Sequence, residues 1–91
     1  TLAAAESKYN LALIQYIKKD YKTSTKTCFD LINNMAAYDY WVAKSFLLLA
    51  DNYVALKDNL QAKSTLLSII DNYDGKDDIV PTAKEKLQKI K

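Results

Sequence analysis

Apolar side chains recur along this chain three and four residues apart, with polar residues filling the gaps, and short polar breaks interrupt the rhythm. Leu2, Ala5, Tyr9, Ala12, Leu13, Tyr16 and Ile17 keep that spacing, which predicts a helix from Leu2 to Lys18. Leu11 and Ile14 widen its apolar stripe, so this helix needs cover on two sides. Lys18-Lys19-Asp20 ends it with positive charge where the dipole favours it and supplies a cap for the next helix. The pattern resumes from Tyr21 to Met35 on Cys28, Phe29, Leu31, Ile32 and Met35. Asn33-Asn34 is the expected stop, because Asn tolerates the left-handed conformation that closes helices. A third helix is predicted to begin after Tyr38 or Asp39, with Asp39 as N-cap, and to reach about Lys57. It has Trp41, Val42, Phe46, Leu49, Ala50, Tyr53, Val54 and Leu56 to bury. Asp58 or Asn59 caps a fourth, which carries Leu60, Ala62, Leu66, Leu67, Ile69 and Ile70 and continues to about Tyr73. Asp74-Gly75-Lys76-Asp77-Asp78 breaks the pattern once more, with Gly75 expected at C′ of one helix and Asp77 or Asp78 at the head of the next. Pro81 falls in the first turn of that fifth helix, which runs to Lys91 with Ala83, Leu87 and Ile90 on one face. The prediction is an all-α chain of about five helices.

Sliding the sequence on itself by 38 positions superposes Ala5 on Ala43, Ser7 on Ser45, Leu11-Ala12 on Leu49-Ala50, Lys19-Asp20 on Lys57-Asp58, Leu31-Ile32 on Ile69-Ile70 and Asn34 on Asn72. Turn and helix interiors match together. Phe46, Leu49, Ala50 and Tyr53, followed by Ala62, Leu66 and Ile69, give the bulky, Leu, small, aromatic series and then the small, bulky series of a helical hairpin; Lys8, Leu11, Ala12 and Gln15, then Ser24, Cys28 and Leu31, are the first-unit equivalents. In this the chain resembles the tetratricopeptide repeat family. Three features depart from that pattern: Lys19 and Lys57 replace the turn Gly, Lys8 and Gln15 are polar where bulk is usual, and the spacing exceeds the family's ~34 residues. The resemblance implies one domain over 1–91, a right-handed superhelix of antiparallel helical hairpins with repeats at 5–38 and 43–76 and a partial or capping unit at 77–91. Small pairs, Ala12 with Ser24 and Ala50 with Ala62, would let the helices of each hairpin cross closely. TLAAAESKYN reads as helix interior with only Thr1 to cap it, so we expect a portion of a longer array. The Lys, Asn, Tyr and Asp usage and the long spacing are more loosely similar to repeat proteins of the bacterial cell envelope, which would imply a periplasmic or outer-membrane setting.

Composition removes whole classes of chemistry. All 13 basic residues are Lys against 11 acidic ones, so there is no guanidinium for bidentate recognition of phosphate or guanine, and nucleic acid is not an expected partner. With no His and a single Cys, neither a disulfide framework nor a His/Cys zinc site can form within one chain. Catalysis by an activated nucleophile would have to rely on carboxylates scattered over helix surfaces, and Cys28 falls on a core position, so no enzyme activity is expected. Asp71, Asp74, Asp77 and Asp78 surround Gly75, but a calcium loop keyed on that Gly would take its first and last ligands from Ile70 and Pro81, which cannot ligate. One Gly cannot build a phosphate cradle, so no cofactor is expected. No stretch approaches the ~18 consecutive apolar residues of a membrane span.

A binding surface is what remains. By the resemblance, the inner face of the first helix of each unit would carry Glu6, Tyr9, Leu13, Tyr16 and Ile17, then Lys44, Leu47, Asp51, Val54 and Ala55, with Lys84 following on the last helix. Aromatic and apolar on one side and mixed in charge on the other, such a face suits an extended peptide or a partner helix. The expected function is therefore a non-enzymatic protein–protein interaction module. The alternative is a scaffold segment that packs on upstream repeats or self-associates through its first helix; a third reading is weak binding of nucleic acid or an anionic surface through Lys84, Lys86, Lys89 and Lys91, whose face otherwise reads as solvated. Tyr40 and Trp41 are expected in packing rather than in ligand contact.

Overall fold

A computed structural model describes every residue from Thr1 to Lys91. It contains α1 (Leu2–Ile17), α2 (Tyr21–Asn34), α3 (Asp39–Ala55), α4 (Asn59–Asn72) and α5 (Ile79–Lys89), and no strand. Each helix packs on the next, and α3 also touches α1 and α5, whereas α2 and α4 do not meet. That asymmetry defines two layers, α1/α3/α5 and α2/α4, in a body 18 Å thick, close to two helix diameters. Neighbouring helices touch within the α1/α3/α5 layer, whereas those of the α2/α4 layer do not.

The register of α1 on α2 is antiparallel. Lys8 pairs with Asp30, Ser24 Oγ donates to the Ala12 carbonyl at 2.8 Å, and Tyr16 meets Tyr21 beside the turn. Ala12, Ser24, Ala50 and Ala62 are all buried, so the small residues do bring the paired helices together. Two turns 38 residues apart in sequence repeat the same bonds. Lys19 N–H donates to Tyr16 O (2.9 Å) and Asp20 N–H to Gln15 O (2.9 Å); Lys57 N–H donates to Val54 O (3.0 Å) and Asp58 N–H to Tyr53 O (2.8 Å). This is a Schellman closure, and it puts Lys19 and Lys57 at φ 66° and 64°, the left-handed position usually given to Gly. Asp20 and Asp58 then accept from the backbone of Thr23 and Gln61 to cap α2 and α4.

Three local expectations give way to packing, and a fourth holds. Asn33-Asn34 does not close α2 in a left-handed turn: Met35 is the C-cap at φ −129°, and Asn34 Nδ2 donates back to Asp30 O. Asp39 is the first residue of α3, whose N-cap is Tyr38 without a side-chain bond. Gly75 is not left-handed; a Cβ there would enter the ring of Tyr73, and that close approach is what the position requires. The head of α5 is as expected: Asp78 holds the N-cap position, and Asp77, two residues ahead of the helix, accepts from Ile79 N–H at 3.0 Å. Burial is also narrower than the pattern: Phe29, Val54, Leu56, Leu60 and Leu67 stay exposed.

Two apolar clusters form the core. Ala43, Leu47, Ala50, Leu66, Ile69, Ile79 and Ala83 join α3, α4 and α5. Ala12, Cys28, Leu48 and Leu49 join α1, α2 and α3. A polar chain runs beside the second: Asn52 Nδ2 donates to Ser24 Oγ at 2.9 Å, which donates on to the Ala12 carbonyl, so one line of bonds ties three helices.

Candidate functional site

The α1/α3/α5 layer presents a continuous face, and its two halves differ in chemistry. At the N-terminal half, Tyr9 of α1 lies against Trp41 of α3 with ring centroids 5.7 Å apart, and Tyr40 meets Trp41 edge-on at 5.3 Å. Lys44 Nζ sits 5.2 Å from the Tyr9 centroid, a cation over an aromatic face. Burial, with a smaller contribution from the Asp51 charge, pushes the Tyr9 phenol above its usual range. Tyr9, Trp41 and Lys44 are half-buried and tie α1 to α3, so Trp41 serves packing between those helices, whereas Tyr40 is exposed.

The C-terminal half holds a groove of about 280 Å³, lined by Tyr16 from α1, Ala50, Asp51, Val54 and Ala55 from α3, Leu66 from α4, and Lys86, Lys89 and Ile90 at the end of α5. Spacing explains the lining: Ala50, Val54, Lys86 and Ile90 recur at four within their helices and so share faces. Lys86 Nζ donates to both oxygens of Asp51, at 3.0 and 2.9 Å, and this ion pair bridges α3 and α5 at the groove wall. Both side chains are about one-third exposed, so the pair is screened and contributes about 1 kcal/mol or less. Lys89 forms no ion pair and leaves one cation at the rim. The floor is apolar, with polar groups at the edges, and it can bury a small apolar side chain while Lys89 meets an acidic neighbour. A second hollow of about 250 Å³ lies between α3 and α4, between Phe46, Ile69 and Tyr73, with Asp39 and Asp74 at its edge.

Of the residues read from sequence, Tyr16, Asp51, Val54 and Ala55 come together in the groove. Tyr9 and Lys44 belong to the aromatic half, Leu13 is half-buried against the second core cluster, and Glu6 and Ile17 are exposed on α1. Leu47 is not a surface residue: only 7% exposed, it is packed among Ala43, Leu66 and Ile79 because α5 folds over that side of α3. Lys84 is exposed on α5 outside the groove; Lys86 and Lys89 take the place expected of it, so the basic face of α5 is not wholly solvated. Leu66, Lys86, Lys89 and Ile90 were missed, since only the path of α5 brings them to Tyr16. The one available signal was the Ala83, Leu87, Ile90 stripe, which points the flanking Lys86 and Lys89 toward the same helix.

No group of three or more His, Cys, Asp or Glu side chains is placed to hold a metal, and no helix is long and apolar enough to cross a membrane. Compared with protein-family models, with curated proteins and with solved structures, the chain matches none.

Proposed function

We propose that this chain is a non-enzymatic protein-interaction module of the tetratricopeptide kind, which receives a peptide or a partner helix along the α1/α3/α5 face. The observation that carries the reading is the groove: apolar at Ala50, Val54, Ala55, Leu66 and Ile90, open to solvent, and edged by the unpaired Lys89. The matched turns of the two hairpins support the family reading, because the same closure recurs at Lys19 and Lys57, 38 positions apart. A ligand seated there has an apolar anchor beside an acidic residue.

The test is selection of peptides from a random display library on the folded domain, followed by fluorescence polarisation of the enriched sequences. Binding weakened at least about tenfold by Val54→Glu, with Leu60→Glu as an exposed control on α4 and helicity equal in all forms, supports the groove. Enriched peptides that ignore Val54→Glu, or no enrichment at all, would overturn it.

A further inference from the structure

The second hollow, between α3 and α4, encloses about 250 Å³ and is walled by Val42, Ala43, Phe46, Ile69 and Tyr73, with Asp39 and Asp74 at its edge. Its aromatic wall is held in place. Tyr73 donates to Asp77 Oδ2 at 2.5 Å, and its ring lies so close to Gly75 that a Cβ there would enter it. The charge around the hollow is one-sided. Between Asp71 and Asp78 the chain carries four carboxylates and one Lys, and Asp39 adds a fifth carboxylate from α3, in a protein whose net charge is +2. These charges converge on one phenol: burial first, then Asp77 and, from α3, Asp39 raise that of Tyr73. Some of them are already engaged, since Asp77 accepts from Tyr73 and from Ile79 N–H and Asp78 holds the N-cap of α5. Asp39 and Asp74, the two that line the hollow, accept no hydrogen bond within the protein and enter neither of its ion pairs. Asp74 also works against its own helix. It follows Tyr73, the C-cap of α4, and Asp71 lies in the last turn, where the dipole disfavours negative charge and no basic residue offsets it. Charge that opposes the local structure belongs to functional positions rather than to stable folding.

We infer that this hollow receives an arginine side chain of a partner protein, its carbon stem against Val42, Phe46 and Ile69 and its guanidinium between Asp39 and Asp74. No three acidic side chains are placed to hold a metal ion, so the carboxylates suit an organic cation, and the apolar walls suit one with a carbon stem. The space, about 250 Å³, is below the ~300–1,000 Å³ of small-molecule sites and takes a single side chain. A guanidinium is planar and more weakly hydrated than an ammonium. It therefore stacks on rings such as Phe46 and Tyr73 and pairs with carboxylates at less desolvation cost than Lys does. A second copy cannot supply the group, because all 13 basic residues of this chain are Lys. The C-terminal turn of α4 adds its own attraction, since its dipole end favours a cation.

The experiment is an NMR titration of the isotope-labelled chain with a Gly-Ser-flanked peptide carrying one Arg, beside the same peptide with Lys or with citrulline, the neutral isostere, in its place. Shifts centred on Val42, Phe46, Ile69 and Tyr73 are expected, with the Lys peptide weaker and the citrulline peptide weaker by at least about tenfold. Asp74→Asn should weaken the Arg peptide by a similar factor while raising the urea midpoint of the free protein, because it removes a charge that opposes α4. Glu6→Gln, an exposed charge on α1, should leave both unchanged. Equal binding of the citrulline or Lys peptide, guanidinium ion alone matching the Arg peptide, or the same shifts on concentrating the protein by itself would each overturn the inference. So would equal weakening by Glu6→Gln, or no shift at about 10 mM Arg peptide, where even a millimolar site fills. The hollow stands apart from the α1/α3/α5 groove, so Val54→Glu, which disables that groove, leaves the Arg peptide bound.

Discussion

At Lys19 and Lys57 a bulky side chain occupies a backbone conformation that disfavours any Cβ, at φ 66° and 64°. A left-handed residue other than Gly costs ~1–2 kcal/mol, and the Schellman bonds made by its own N–H and that of the next residue hold it there. Part of the relief on replacing it is offset by the entropy Gly loses on folding. Lys57→Gly is therefore expected to stabilise the fold by about 0.5–1 kcal/mol, read as a higher urea midpoint at unchanged slope, and Lys19→Gly by a similar amount. Lys57→Val should lower the midpoint, because a β-branched side chain fits that conformation worse than Lys does. The place of both turns was legible in the sequence from Lys-Asp recurring after 38 positions. Their conformation was not, since no Gly marks it. At Asn33-Asn34 and Gly75 the residues that do tolerate left-handed geometry are present, and the chain leaves by other routes because Tyr73 and Asp30 engage them instead.

Helix against helix, the line from Asn52 through Ser24 to the Ala12 carbonyl is the polar contact most sensitive to change, since every member is buried. Ser24→Ala removes the acceptor for the Asn52 amide, and a buried donor left without a partner costs ~1–3 kcal/mol. Adding Asn52→Ala to Ser24→Ala should then cost less than the two single losses together, with a coupling of about 0.5–3 kcal/mol in a double-mutant cycle. Simple additivity would show that Asn52 finds another partner. The sequence marked Ser24 as a small crossing residue and did not mark its hydroxyl. Nor did it mark Asn52, which sits in the run from Ala43 to Tyr73 as a polar interruption and is buried because α2 closes over α3 on that side. The groove was legible in part: Tyr16, Asp51 and Val54 are on the face that the family resemblance implies, whereas the Asp51–Lys86 pair depends on where α5 lands.

Across the molecule, the groups whose protons are held most tightly all act in the same direction. Burial pushes the Cys28 thiol from 9.0 up to about 12, and burial followed by the Asp77 carboxylate pushes the Tyr73 phenol from 10.0 up to about 12. Tyr9, Tyr16, Tyr40 and Tyr53 are raised as well, with burial the largest cause in each. In the unfolded chain these groups ionise near 9 and 10, while in the fold they stay neutral to higher pH, so above pH 9 the folded state binds more protons than the unfolded one. Stability is therefore fully present below pH 9 and falls as pH rises toward 12. Urea midpoints should be insensitive to these groups from pH 7 to about 9 and then decline. Cys28→Ala is expected to lower stability at pH 7, through the space it leaves beside Leu48 and Leu49, and also to flatten the first part of the decline. Tyr73→Phe should spare that first part and flatten the decline above pH 10. A decline unchanged in both variants would assign the alkaline loss to the remaining tyrosines, and a midpoint that rises between pH 9 and 12 would reverse the sign derived from burial.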